Sequence, residues 1–337
     1  MQRRRMSVAG LLATAVAGVT IAATVAAPAT AEAGEVKPLR AESTSSTATT
    51  LGGGAQTATA ATEVSKYWTP ARMKAAVPLA GVAASDQAVE AKVKALTELR
   101  PTGKPSTTKS AAPPAGMKSV NASTTVGRVF FVNPIGTANV SAGGHSCSAS
   151  ALNSASKQLV ITAGHCVHGG AGGTWYQNWV FVPLYNNGAE PHGEFAAKQF
   201  RSFNSWMNSS DLTRDVGLTT TWSNNLGKVV NVVGGNGLAW NWPKTLFITI
   251  LGYPADPPFD GTWQQYCQGT TSDWGSRIAL QCGFTGGSSG SPWLKDYNGS
   301  TGAVNGDMST LSSGGWNASP YYDTAVKTMV DAQGSVT

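Results

Sequence analysis

The chain has 337 residues, of which 41% are hydrophobic and 12% charged, with 39 Gly and 11 Trp. This composition excludes a disordered chain and favours a loop-rich β protein over a helical bundle. The net charge is +6, but 14 of the 24 Lys and Arg and only 7 of the 18 Asp and Glu precede Val120, leaving 10 basic and 11 acidic residues after it. Because a phosphate-binding surface needs basic residues on the working domain, the sequence argues against a nucleic-acid partner.

Residues 1–33 have the pattern of a secretory signal peptide. Arginines at Arg3–Arg5 precede an apolar stretch over Val8–Ala27, and Ala29–Ala33 offers two small-x-small cleavage sites. The alternative is an N-terminal membrane anchor, which the many Thr and Gly residues and the cleavage motif disfavour. We therefore predict a secreted, extracellular protein without a stable membrane anchor.

Residues 34–119, here called the leader, are rich in Thr, Ser and Ala and end in a Pro/Lys/Ala stretch over Pro101–Lys118. The pattern predicts a largely irregular segment with one amphipathic helix over Ser85–Arg100. Two interpretations remain open: a secreted stalk, or a pro-segment that masks an enzyme until it is cut.

Residues 120–337 contain short β-prone runs between turn residues, and these predict an all-β domain. The predicted strands include Val126–Val132, Gln158–Thr162, Trp179–Leu184, Val229–Val233, Thr245–Gly252 and Ser276–Cys282. A helix is predicted over about 319–333, with Ser319 as its cap and Pro320 as its first residue.

Four cysteines in an exported chain predict two disulfides, and three pairings are possible. Their order along the chain favours two local loops, Cys147–Cys166 and Cys267–Cys282. A metal site is disfavoured, because the cluster around His165 and Cys166 has no C-x-x-C and no second ligand pair. We predict neither a metal nor a cofactor.

The segment Thr285–Pro292 surrounds two serines with small residues, as a nucleophile on a tight turn requires. It fits both the nucleophile elbow of α/β-hydrolases and the pattern around the serine of chymotrypsin-like peptidases. The elbow enzymes need a histidine after the serine, but all four histidines precede Gly286. A subtilisin order fails as well, because Asp86 in the leader is the only Asp before His165.

The order His, Asp, Ser remains available. Thr-Ala-Gly-His-Cys at 162–166 follows an apolar strand and places His165 beside a cysteine that can anchor it. Asp215 leads into the small apolar run Val-Gly-Leu, which allows its carboxylate to be buried. Asp211 is the alternative acid, but the Leu-Thr-Arg after it is typical of an exposed segment.

These three motifs resemble the chymotrypsin-like serine peptidases, and most closely the bacterial secreted branch related to glutamyl endopeptidases. The resemblance implies two antiparallel β-barrels, over about 120–225 and 226–318, followed by the C-terminal helix. It also implies His165 as general base, Asp215 as its orienting acid and Ser289 as nucleophile. The backbone N–H groups of Gly287 and Ser289 would form the oxyanion hole. The disulfide usual beside the base matches Cys147–Cys166.

The substrate pocket departs from the patterns of the better known branches. Gly283 stands where trypsin-type members have Asp, and Ser288 where many animal members have an Asp that pairs with a new N-terminus. The stretch 302–307 lacks the His of glutamyl-specific members. The pocket candidates are Gly283, Asn305 and Asp307. Asp307 is considered for a place at the pocket rim, with an ordinary surface aspartate as the alternative.

The sequence thus predicts a secreted serine endopeptidase, made as a precursor, that acts as a monomer on proteins or peptides and that its own pro-segment inhibits. The alternatives are a catalytically silent binding module with the same fold and an esterase with the same triad.

Overall fold

The computed structural model describes residues 42–79, 103–114, 121–134, 144–312 and 314–337. The predicted signal peptide and the predicted helix over Ser85–Arg100 lie outside the described residues. Within them, the predicted all-β architecture with a C-terminal helix is confirmed.

The described strands are β1 (Ser43–Thr47), β2 (Val77–Pro78), β3 (Ser106–Thr107), β4 (Val126–Val132), β5 (His145–Leu152), β6 (Leu159–Thr162), β7 (Gln177–Pro183), β8 (Phe195–Phe203), β9 (Gly217–Thr221), β10 (Gly237–Trp240), β11 (Phe247–Gly252), β12 (Gln265–Thr270), β13 (Ser272–Trp274), β14 (Arg277–Gln281), β15 (Pro292–Lys295), β16 (Ala303–Asp307), β17 (Thr310–Leu311) and β18 (Trp316–Pro320). The described α-helices are α1 (Ala58–Tyr67), α2 (Pro70–Ala75), α3 (Asn204–Ser209), α4 (Val229–Val233) and α5 (Thr324–Gly334). Two 3₁₀ turns cover Gly164–Cys166 and Leu212–Arg214.

Six strands close the N-terminal barrel. Antiparallel pairing runs β4–β5–β6–β9–β8–β7 and returns to β4. The leader adds two strands to this ring: β1 pairs antiparallel with β8, and β2 runs parallel to β5. The leader is therefore part of the sheet rather than a free tail over these residues.

The C-terminal half is built from two sheets, in the orders β12–β11–β15–β16–β10–β3 and β13–β14–β18–β17. Its pairs are antiparallel except β10–β16, which is parallel. The leader contributes here too, because β3 extends the larger sheet at β10.

Strand β4 is buried on both faces, which explains the apolar run Val-Phe-Phe-Val at 129–132. Val129 and Phe131 point into the barrel core, whereas Phe130 and Val132 point outward. Helices α1 and α2 cover that outer face with large side chains, among them Trp68 and its neighbours Val64, Met73 and Ala76. A barrel strand with two apolar faces needs such a cover, and here the leader supplies it.

Two predicted elements differ in the structure. Val229–Val233 was predicted as a strand but forms helix α4, because Val229, Val230 and Val233 lie on one helical face and pack on the barrel core. The C-terminal helix begins at Thr324 rather than Pro320, since Asp323 accepts hydrogen bonds from the N–H groups of Ala325 and Val326. Pro320 ends strand β18 instead, paired with Arg277.

Candidate active site

His165 lies on the 3₁₀ turn that follows strand β6, and this turn is anchored on two sides. A disulfide joins Cys166 to Cys147 on β5, and the indole N–H of Trp179 donates to the Cys166 carbonyl at 3.0 Å. The second disulfide joins Cys267 and Cys282. The first bond fixes the backbone on which the imidazole is mounted.

Asp215 is fully buried and contacts His165 twice. Its Oδ2 lies 2.7 Å from His165 Nδ1, and its Oδ1 accepts the His165 backbone N–H at 2.7 Å. Ser309 Oγ donates to Oδ2 at 2.7 Å. The carboxylate thus fixes both the position and the ring orientation of the histidine. Asp211, the alternative acid, instead caps the turn Leu212–Arg214 by accepting from Thr213.

The side chain of Arg214, next to Asp215 in the chain, forms a two-pronged ion pair with Asp323, at 3.1 and 2.6 Å. Both side chains are largely buried. Because Asp323 also caps helix α5, this pair ties the loop that carries Asp215 to the C-terminal helix.

Ser289 is placed by close packing of the turn 285–292. A Cβ on Gly290 would lie 2.0 Å from Thr162 Oγ1 and 2.9 Å from the Ala163 nitrogen, so only glycine allows this approach to the segment before His165. The Ser289 carbonyl accepts from the Ser148 N–H at 2.7 Å. Ser288 Oγ donates to the Thr285 carbonyl at 2.6 Å, which occupies it within its own turn.

A three-residue piece of the leader, Val77–Leu79, lies against this site, and we call it the strap. The N–H groups of Val77 and Leu79 donate to the carbonyls of Gly144 and Ser146 at 2.9 and 2.8 Å. The Leu79 carbonyl accepts the N–H of Gly287 at 3.3 Å. His165 and Ser289 are only 4% and 2% exposed, and among the described residues His165 Nε2 has no hydrogen-bond partner.

The pocket candidates divide into two groups. Gly283 is exposed, in the left-handed region at φ +64°, with open space around the position of a Cβ. Asn305 and Asp307 lie in strand β16 with buried side chains, which contact the Ala239 carbonyl and the Tyr322 hydroxyl. This corrects the expectation that Asp307 lies at a pocket rim: its carboxyl points into the core.

Sequence reasoning did not find Ser309, which completes the hydrogen bonds of Asp215. Nothing in the neighbouring Met-Ser-Thr sequence marks it, because its place depends on a hydrogen bond between residues 94 positions apart. It also missed Arg277, a fully buried arginine that lies behind the same carboxylate.

Cys147, His165 and Cys166 bring three potential metal-ligating atoms within 4.8 Å of one another. Both sulfurs are joined in the disulfide, so neither is available as the thiolate that a metal would bind. In the part of the chain that the structure describes, no helix is long and apolar enough to cross a membrane.

No family model matches this sequence, and no curated protein does so either. Solved structures do match it. The thermostable serine protease AL20 from an extremophilic microorganism is 30% identical, with a TM-score of 0.58, over 64% of this chain and 99% of that chain. The protease Anisep from Arthrobacter nicotinovorans is 27% identical, with a TM-score of 0.58, over 67% and 100%.

A Glu endopeptidase solved in complex with MPD shares the fold at 17% identity and a TM-score of 0.52, over 68% of this chain and 98% of that chain. The match to AL20 extends over nearly the whole of that enzyme. The chain therefore belongs to the chymotrypsin-like serine proteases.

Proposed function

We propose that this protein is a secreted serine endopeptidase that uses Ser289, His165 and Asp215 as its catalytic triad. The observation that carries the proposal is the double contact of buried Asp215 with His165, beside a serine turn that packs on the same segment through Gly290. Asp215 holds Nδ1 as the donor, which leaves Nε2 as the base that faces substrate.

The reaction then proceeds in two halves. Ser289 Oγ attacks the scissile carbonyl carbon while His165 Nε2 takes the hydroxyl proton, and the N–H groups of Gly287 and Ser289 stabilise the oxyanion. The C–N bond breaks as His165 returns the proton to the leaving amine, which leaves an acyl-enzyme on Ser289. Water then attacks the acyl-enzyme, with His165 again as base. The ester bond to Ser289 breaks, His165 returns the proton to Ser289 Oγ, and the carboxylic acid product leaves.

We propose further that the protein is made as a precursor and that the leader inhibits it. In support, the Leu79 carbonyl accepts the Gly287 N–H, a group that the reaction needs for the oxyanion. Two further main-chain hydrogen bonds hold the strap along Gly144–Ser146. Substrate cannot use the same N–H while the strap is in place.

Secretion is supported by the two disulfides, which persist in oxidising compartments, and by the signal-like sequence of residues 1–33. The near-neutral charge after Val120 fits protein or peptide substrates rather than nucleic acid. We expect a monomer that needs no cofactor.

The test is labelling with a fluorophosphonate, applied to the full chain and to the processed protein recovered from culture medium. We expect the label on Ser289, at a rate at least about tenfold higher in the processed protein. Ser289→Ala should lose the label and lower kcat by roughly 10⁴-fold or more, whereas the matched control Ser288→Ala should keep both.

Other outcomes distinguish the alternatives. Label on Ser288 would contradict the triad and favour the elbow arrangement. A folded, processed protein without label would be a silent binding module, and one that cleaves simple esters but no peptide bond would be an esterase.

A further inference from the structure

A buried arginine lies behind the proposed catalytic acid. Arg277, at the start of β14, is 1% exposed, and its Nη2 donates to Thr310 Oγ1 at 2.5 Å. Its Nε and Nη1 have no hydrogen-bond partner in the described residues, and no ion pair involves it there. Since a buried cation is costly unless an anion compensates it, the question is which anion does so here.

Three aspartates act on this guanidinium. Burial lowers the pKa of Arg277 to about 10, and the neighbouring Asp215, Asp307 and Asp211 oppose that fall, in this order. The arginine is therefore still charged at neutral pH.

The three aspartates differ in burial and in their hydrogen-bond partners. Burial raises the pKa of Asp307 well above its ordinary value, so this carboxyl keeps its proton beside the hydroxyl of Tyr322. Asp211 is half-buried and already accepts two hydrogen bonds from Thr213. Asp215 is fully buried and has the largest effect of the three on Arg277, so its carboxylate is the main anion opposite the guanidinium.

A short chain of contacts connects the two groups. Ser309 Oγ donates to Asp215 Oδ2 at 2.7 Å. The hydroxyl oxygen of the next residue, Thr310, accepts a hydrogen bond from the guanidinium of Arg277. Both residues are buried. Arg277 thus holds the backbone segment from which the Ser309 hydroxyl donates to Asp215.

The other titratable groups around this cluster are neutral or already paired. Burial and nearby aspartates raise the pKa of Tyr176 and of Tyr322, so both hydroxyls stay protonated, and Arg214 is paired with Asp323. Among the described residues, His165 therefore contacts the carboxylate of Asp215 directly, and Arg277 acts on that carboxylate in turn, with half-buried Asp211 further along the same loop.

We propose that Arg277 is a positioning residue for the peptidase reaction, which holds Ser309 against Asp215 and partly offsets the charge of that carboxylate. The inference rests on the proposed function. A positive charge beside this carboxylate opposes protonation of His165, so removal of Arg277 should favour the imidazolium form.

The test is the pH dependence of kcat/KM in the processed enzyme. In Arg277→Met the acid limb of the kcat/KM profile should move to higher pH by roughly one unit, because a positive charge that opposes protonation of His165 has been removed. In Arg277→Lys the charge remains but the hydrogen bond from Nη2 to Thr310 Oγ1 is lost, so the limb should stay while kcat falls by roughly tenfold. The matched control Asp307→Asn replaces a neutral acid by a neutral amide and should leave the limb unchanged.

An unmoved limb in a folded Arg277→Met enzyme would overturn the proposal, as would an equal movement in Asp307→Asn. If Arg277→Met does not fold, Arg277→Lys decides: wild-type kcat would refute positioning. NMR titration of the His165 ring gives the same shift without any need for turnover. A wild-type enzyme that neither labels nor turns over would instead refute the proposed function, and the NMR shift would still judge Arg277.

Discussion

The two halves of this protein close their cores in different ways. In the N-terminal barrel, Phe130 and Val132 of β4 face outward and are covered by Trp68 and its leader neighbours. In the C-terminal half, the cluster around Ile250 and Trp293 draws its described residues from positions after 245. The half that carries His165 and Asp215 therefore depends on the leader for its outer apolar layer, whereas in the half that carries Ser289 the described leader residues add the edge strand β3.

This difference indicates that the leader has a structural role in the N-terminal half. A segment that only blocked the cleft would need the strap alone. Here the strap is attached to helices that bury four apolar side chains on the barrel, Val64, Trp68, Met73 and Ala76. Under our proposal, the leader completes the fold of one half and obstructs the site through the same stretch of chain.

The largest effect should come from a matched pair of tryptophans, both studied in a Ser289→Ala background that prevents self-cleavage. Trp68 and Trp293 are each at most 1% exposed. Trp68→Ala should lower the free energy of unfolding of the full chain by about 3–5 kcal/mol and leave the processed protein unchanged. Trp293→Ala should destabilise both forms by a similar amount, as measured by denaturant unfolding.

The same Trp68→Ala change, with Ser289 restored, should raise the labelling rate of the precursor, because the strap loses its anchor. If Trp68→Ala left the stability of the full chain intact, the leader would be a cover without a structural role.

The two disulfides sharpen the comparison by separating stability from activity. They close loops of similar length, 19 and 15 residues, so each pair of Cys→Ala changes should cost about 3 kcal/mol. Loss of Cys147–Cys166 should also lower kcat, since it releases the turn that carries His165. Loss of Cys267–Cys282 should leave kcat close to normal. Equal losses of kcat would contradict the anchoring role.

The smallest expected effect concerns pH at the leader interface. Burial, then the neighbouring Glu190, raises the pKa of Glu194 to about 9, and its carboxyl also interacts with Ser65 of α1. An acid with a raised pKa contributes stability that is complete below its ordinary value of 4.5 and is lost as the pH rises towards 9. Glu194→Gln should therefore raise the Tm of the precursor at pH 8 and leave it unchanged at pH 4, as measured by thermal unfolding.

Glu190→Gln is the matched control at a more exposed neighbour, and it should have the weaker effect. Raised stability at both pH values would show that the glutamine acts through packing rather than charge.

Much of the fold was accessible from the sequence, because local patterns carried it. Val126–Val132 matches β4 residue for residue, and the order of His165, Asp215 and Ser289 selects one family architecture. The strand predicted over Val229–Val233 was wrong because a five-residue run is too short to show a period that separates strand from helix. Asp307 was misplaced because its burial depends on Tyr322, on a different segment.

The ordered part of the leader was missed for a related reason. Its Thr/Ser-rich composition is typical of linkers, and α1 has few apolar residues of its own. The stronger signal was in the barrel strands that the leader covers. Val-Phe-Phe-Val at 129–132 and Trp-Val-Phe-Val at 179–182 have apolar residues on both faces. Such strands require an external cover, and the leader is the segment that provides it.

The pairing of β1 with β8 has a consequence for handling the enzyme. Loss of the leader would leave the main-chain groups that face β1, at Gln199–Phe203, without partners on that side. An open edge of this kind is a template for edge-to-edge aggregation. Arg201, in the middle of the edge, has the charge that opposes such pairing, so the colloidal stability of the mature enzyme should be sensitive to salt in a way that the precursor is not.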